Sequence, residues 1–262
     1  MTPFSTLIAG ITQHGEAFDA TITPDWQQGR TTYGGLTAAL CVEAALRAVP
    51  DLPPLRSAQF AFVGPASGAV RIAPKILRRG KSTVFVAVDL LGESGLATHA
   101  TLVFAAARAS AYSHENLPAP ASPPPEDCPP FFGDYPGPDF AHHFDYRQAG
   151  GQLPRSNATT PEYQLWLRHR DATLGASMPA LIALADAPPP AAMAMFAALA
   201  PISTMTWSMD LFDVPPEPGA PWRLMTCRAE KIGHGYSTQE MIIWTEAGAP
   251  LMVARQNIAI FV

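Results

Sequence analysis

One stretch of this chain occurs twice, and the repetition restricts the fold more than any other feature. Gly80-Lys81-Ser82-Thr83 opens an apolar run, a turn and a second apolar run that ends at Phe104; Gly235-Tyr236-Ser237-Thr238 opens the same order and ends at Ile260. Gly80, Ser82 and Thr83 answer Gly235, Ser237 and Thr238, and Gly92 answers Gly248, with the register slipping by one residue at the turn. Hairpins tolerate insertion there, because turn residues face solvent while strand residues are held by pairing. Two similar α+β units in one polypeptide follow; chance likeness of two hairpins is the alternative.

The elements around the hairpins repeat too. In the first unit the alternating residues 18–22 suit a short strand, and Pro24-Asp25-Trp26 breaks it. Tyr33-Gly34-Gly35 precedes residues 36–49, rich in Ala and Leu on every side, which predicts a helix buried nearly all round. Residues 58–63, 69–77, 83–91 and 97–106 are β-rich segments separated by Gly and Pro, and a sheet wrapped on the helix covers both. Residues 110–138 hold nine prolines and predict an extended linker, and 140–160, polar and glycine-interrupted, a connecting loop. The second unit is expected to open on a strand at 163–169, followed by a helix over 179–186 with Pro179 in its first turn and Pro188-Pro189-Pro190 beyond it. Strands are expected at 203–212, 222–230, 239–244 and 251–261. The domain reading is an N-terminal unit over 1–110, a linker and loop over 111–160, and a C-terminal unit over 161–262.

At 262 residues the chain is long enough for two modest cores. Only 15% of residues are charged, a fraction low enough to predict that a second copy covers part of the surface, as a homo-oligomer or dimer of such tandem units. A net charge of -5 without a basic run argues against nucleic acid as a partner. The densest cationic cluster, Arg78-Arg79-Gly80-Lys81, suits a solvated strand end better than an anion contact. Cys41, Cys128 and Cys227 are too far apart for a metal knuckle and odd in number, which fits a reducing cytoplasm. No export signal and no membrane-spanning run is expected, the Ala-rich segment 190–201 being short and bounded by proline.

With Tyr33-Gly34-Gly35, Asp186, the strand Ser203-Thr204-Met205-Thr206-Trp207 and Gln256 in view, the chain resembles the double-hotdog acyl-CoA thioesterase II family over nearly its full length. The resemblance implies two hotdog units, each a sheet wrapped around a central helix. It also implies an acyl-CoA substrate, no cofactor, and a second-unit site of Asp, Ser or Thr, and Gln that positions a hydrolytic water. By motif these are Asp186, Thr204 and Gln256. One departure stands after Thr204, where better-known bacterial members carry an Asp-His pair and this chain has Met205-Thr206-Trp207.

Each candidate also has a plainer reading. Asp186 closes an apolar helix at the unfavourable end of the macrodipole, so a raised pKa and a role as general base are expected, against an exposed helix-end carboxylate. Thr204 stands near a strand start, where threonine is commonplace. Gln256 interrupts an apolar strand where the first copy has Ala100, or else points outward by alternation. Tyr33, Gly34 and Gly35 are expected at the substrate, the glycines offering helix-start amides to an oxyanion in a second or shared site; a helix-entry turn is the alternative. Glu43 is a second-choice acid. His142 and His143 are expected at the surface, His234 in a turn, and the Ala- and Met-rich segment 191–200 along an acyl channel. No metal pattern is present. A hotdog hydratase or dehydratase would need an Asp and a His set for proton transfer, and a non-catalytic acyl-thioester or lipid-binding protein would need none of these groups.

Overall fold

The computed structural model describes residues 1–133, 135–175, 177–212, 217 and 219–261. The chain opens with α1 (Phe4–Ala9), β1 (Thr12–His14) and β2 (Ala17–Ile22); a 3-10 turn (Pro24–Trp26) and the ribbon β3 (Gln27–Gln28) and β4 (Thr31–Thr32) lead into α2 (Gly34–Ala48). β5 (Leu55–Phe62), β6 (Gly68–Arg79), β7 (Thr83–Gly92) and β8 (Gly95–Ala105) complete the first half. The second half holds β9 (Phe144–Gly151), β10 (Glu162–His169), α3 (Met178–Ala185), β11 (Ile202–Leu211), β12 (Arg223–Gly233), β13 (Tyr236–Thr245) and β14 (Pro250–Ile260). Among the described residues no helix is long and apolar enough to cross a membrane.

All strands but β3 and β4 join one antiparallel 12-stranded sheet, in the order β1-β2-β6-β7-β8-β5-β11-β14-β13-β12-β10-β9. Outward from the middle, β5-β8-β7-β6-β2-β1 on one side matches β11-β14-β13-β12-β10-β9 on the other, the order two hotdog units give when they meet edge to edge. The seam between them pairs Phe60 with Trp207, Gln59 with Ser208 and Ala58 with Met209.

Alternation decides which face is covered. On β7, Val84, Val86, Val88 and Leu90 are buried while the residues between them are partly exposed. They close on α2, whose residues from Gly35 to Val42 are all buried. Removing Leu36 and Leu40 from water contributes about 1.5–3 kcal/mol each. α3 is shorter and apolar throughout, and starts cleanly because Ser177 Oγ accepts from the Ala180 amide and Pro179 needs no donor in a first turn.

Two sequence expectations are corrected here. The connecting loop expected over 140–160 contains strand β9. Phe144 and Tyr146 turn inward in alternation with Asp145 and Arg147. Gly151, which helps disguise the strand, is there because β10 passes close by: a Cβ on it would lie 2.4 Å from Tyr163 Cα. His143, expected at the surface, is buried. It stacks on Trp26 with ring centroids 3.7 Å apart and meets the Asp25 carboxylate at 3.0 Å.

The proline-rich stretch holds the 3-10 turn Pro125–Asp127 and, among its described residues, no strand or α-helix, and it is anchored. Trp244 Nε1 donates to Leu117 O and Trp166 Nε1 to Pro123 O, each at 2.8 Å. A segment with few amide donors still offers carbonyls, and two indoles of the second half use them. Cys128, Trp166, Leu224 and Trp244 form a small separate apolar cluster under this strap.

Candidate active site

The first turn of α2 lies against the last turn of α3. Asp186 closes α3 as its C-cap. Alone, a carboxylate at a helix C-terminus faces the negative end of the dipole. Here the N-terminus of the other helix offsets this, for the Gly35 amide lies at the carboxylate and favours its ionised form. Burial works the other way and wins, raising the Asp186 pKa to about 7.

Close approach is possible only because both first residues of α2 are glycine. A Cβ on Gly34 would stand 3.0 Å from Asp186 Oδ2, and one on Gly35 would stand 2.8 Å from Asp186 Cβ. The two glycines therefore belong to the same site as Asp186, contributed across the seam by the first half of the chain.

Gln256 comes from β14 and points inward, donating from Nε2 to Asp186 Oδ1 at 2.5 Å. Its own Oε1 accepts from Gln239 Nε2 at 2.7 Å, and Gln239 Oε1 accepts from the Ala191 amide at 2.9 Å. Gln239, on β13, pairs with Gln256 in the ladder. The corresponding partner of Ala100 in the first half is Val88. Sequence reasoning missed Gln239 although the signal was there: the sequence repeat sets it against Val84 and the ladder against Val88, both buried, and an amide replacing valine on a buried strand face needs a partner.

Asp186, Gln256, Gly34 and Thr204 all line a cavity of about 860 Å³. Thr204 sits at an irregularity where β11 slips one residue against β14. Phe62, Phe131, Phe132 and Phe140 supply apolar wall, and Met193, Leu199 and Ala200 bring the Ala- and Met-rich segment to it. Arg155 is the cation among the lining residues, its guanidinium 4.3 Å from the centroid of Tyr135. No histidine lines the cavity among the described residues. Nor do any three His, Cys, Asp or Glu among them gather as a metal site.

Three candidates lie elsewhere. Gly35 is behind the wall, its amide turned to Asp186. Tyr33 is buried beside it, its hydroxyl donating to Ala183 O at 2.6 Å and its ring stacked on Phe140 at 4.2 Å. It holds the end of α3 instead of facing the cavity. Removing that hydroxyl in Tyr33→Phe should lower stability by about 1 kcal/mol in a denaturant titration and leave substrate KM unchanged. Glu43 points away from the cavity and pairs with Arg47 at 2.7 Å, one turn along α2. His234 occupies the β12–β13 turn with φ 53°.

A carboxyl group titrating near neutrality, the amide donating to it, a threonine hydroxyl and the first residue of a helix all line one mostly apolar cavity. Comparison with known proteins shows the family. A family model described as acyl-CoA thioesterase N-terminal domain matches residues 22–105, and one described as acyl-CoA thioesterase C-terminal domain matches 115–260. A hot dog fold protein from Alicyclobacillus acidocaldarius superposes with TM-score 0.86 at 23% identity, over 98% of this chain and 97% of that one. An acyl-CoA thioesterase II from Mycobacterium marinum gives TM-score 0.75 at 19% identity, over 97% and 96%. No curated protein matches significantly. With both halves matched in order over almost the whole length, the chain belongs to the acyl-CoA thioesterase family and is a thioester hydrolase of double-hotdog fold.

Proposed function

We propose that this protein hydrolyses fatty or related acyl-CoA thioesters to the free acid and CoA by direct attack of water activated by Asp186. The observation that carries this reading is the Gln256–Asp186 hydrogen bond of 2.5 Å opening on the cavity, with a carboxyl that titrates at about 7. A thioester carbonyl is already electrophilic, so the site has to supply a base, orientation and charge stabilisation. Water held between the Asp186 carboxylate and the Thr204 hydroxyl attacks the carbonyl carbon while Asp186 takes its proton. The Gly34 amide, one of those a helix start leaves without an intrahelical partner, donates to the oxyanion. Collapse breaks the C–S bond, and the departing sulfur receives the proton from Asp186. Met193 and Leu199 border the path of the acyl chain, the methionine able to fit chains of varied shape.

The test is release of free thiol from acyl-CoAs of graded chain length. The wild-type protein should release thiol, and its kcat should rise with pH through a midpoint near 7, because Asp186 acts in its ionised form. No release from any chain length would favour a non-catalytic acyl-thioester-binding protein. The hydratase reading has no histidine at the cavity, among the described residues, to support it.

A further inference from the structure

We propose that Gln239 is a positioning residue whose side chain decides which end of the Gln256 amide faces Asp186. The decision originates in chemistry that admits one answer. The Ala191 N–H can only donate, so Gln239 must turn its Oε1 to it, at 2.9 Å. Its Nε2 is then committed to Gln256 Oε1 at 2.7 Å, which leaves Gln256 Nε2 for Asp186 at 2.5 Å. Both glutamines are buried, 1% and 4% exposed, so water is a poor substitute for a lost partner. Turning either amide over would set donor against donor or acceptor against acceptor.

Orientation matters to the base. An amide N–H donating to Asp186 favours the carboxylate; an amide carbonyl in its place would favour the protonated acid. The other titratable groups around Asp186 do not compete for this role. Tyr33 at the start of α2, Tyr146 on β9 and Tyr163 on β10 are all raised above the usual phenol range by burial, and Cys227 on β12 is raised to about 12 by burial, so all stay neutral. The anchor adjoins the cavity wall: Ala191 is buried and directly follows the lining residue Pro190.

The inference rests on the hydrolase reading for its catalytic meaning, and its first test does not need turnover. Carboxyl ¹³C resonances of Asp186, assigned by their absence in Asp186→Asn, are followed against pH in wild type, Gln239→Glu and Gln239→Met. Gln239→Glu keeps the shape and, once ionised, only accepts, so above its own midpoint it takes the Ala191 N–H and the Gln256 NH₂ together and turns the Gln256 carbonyl to Asp186. Protonated, its O–H donates to Gln256 Oε1 and keeps the wild-type order. The Asp186 midpoint should move up in Gln239→Met, which adds no charge and lets Gln256 sample both orientations, and by more in Gln239→Glu, where the added carboxylate also repels the ionised Asp186; the uncharged variant is the one that decides. In the thiol-release assay kcat should fall about tenfold with KM nearly unchanged, and the acid limb of the profile should move with the NMR midpoint. An unshifted midpoint in a folded variant overturns the proposal. Should neither variant fold, the wild-type Gln256 NH₂ resonance decides: it must titrate with the Asp186 midpoint, and a pH-independent signal overturns the proposal. Failure of thiol release with a shifted midpoint would remove the hydrolase reading and leave the positioning intact.

Discussion

Asp186→Asn should abolish most thiol release and at the same time make the protein more stable at pH 8. The activity loss follows from removing the base, an effect of order 10²–10⁴-fold in kcat. The stability gain follows from linkage. The folded-state pKa of about 7 lies above the ordinary 3.8, so between those values the folded chain binds more protons than the unfolded chain. Stability then falls as pH rises through that window, and the cost is fully present above about 7. Asparagine is uncharged at every pH and keeps an oxygen to accept from Gln256. The shift sets an upper bound of about 4 kcal/mol on the gain. Thermal unfolding of both proteins at pH 8 and pH 5 checks it: the difference should be large at the higher pH and shrink at the lower. Full activity in the variant would remove Asp186 as the base, and equal stability at both pH values would remove the buried-carboxylate account.

Gly35→Ala should cost about 1–3 kcal/mol of stability by overpacking, and on the order of 100-fold in kcat by displacing Asp186. The added methyl would stand 2.6 Å from Tyr33 Cε2, 2.8 Å from Asp186 Cβ and 3.0 Å from Ala183 O. Tyr33 cannot yield, because its ring is pressed on Phe140 and its hydroxyl is tied to Ala183. The end of α3 has to retreat, carrying Asp186 away from Gln256. Denaturant titration reads the first effect and thiol release the second. Retention of both at wild-type values would show that α2 and α3 do not depend on this contact.

The repeat, the buried helix after Tyr33-Gly34-Gly35 and the strands of both halves were legible in the sequence because each leaves a periodic trace. Alternation on β7 and an all-apolar α2 survive without knowledge of any partner. β9 was not legible, since Gly151 serves a neighbouring backbone and looks like a loop residue until that neighbour is placed. In the site, Gln256 stood out against Ala100, and Asp186 stood out as an acid closing an apolar helix. Tyr33 adjoins the glycines in sequence, yet its side chain turns to α3, a direction that depends on how the two helices meet. Gln239 was visible as an amide where the first copy has valine. Its meaning was not, because that depends on the Ala191 amide arriving from the short 3-10 helix Ala191–Met195.

The meeting of α2 and α3 has a consequence for how such a chain can diverge. In an assembly of two identical units, every substitution appears at both ends of the helix pair, so a glycine that admits an acid and the acid itself must be accommodated twice over. Joining the units in tandem lifts that restriction. Gly34 and Gly35 remain at one junction with Asp186, while the strand places matching Gln256 and Gln239 in the first half are free to become alanine and valine. The covalent link thus lets one half specialise as a donor of helix-start amides and the other as a donor of the acid, a division of labour unavailable to a symmetric pair.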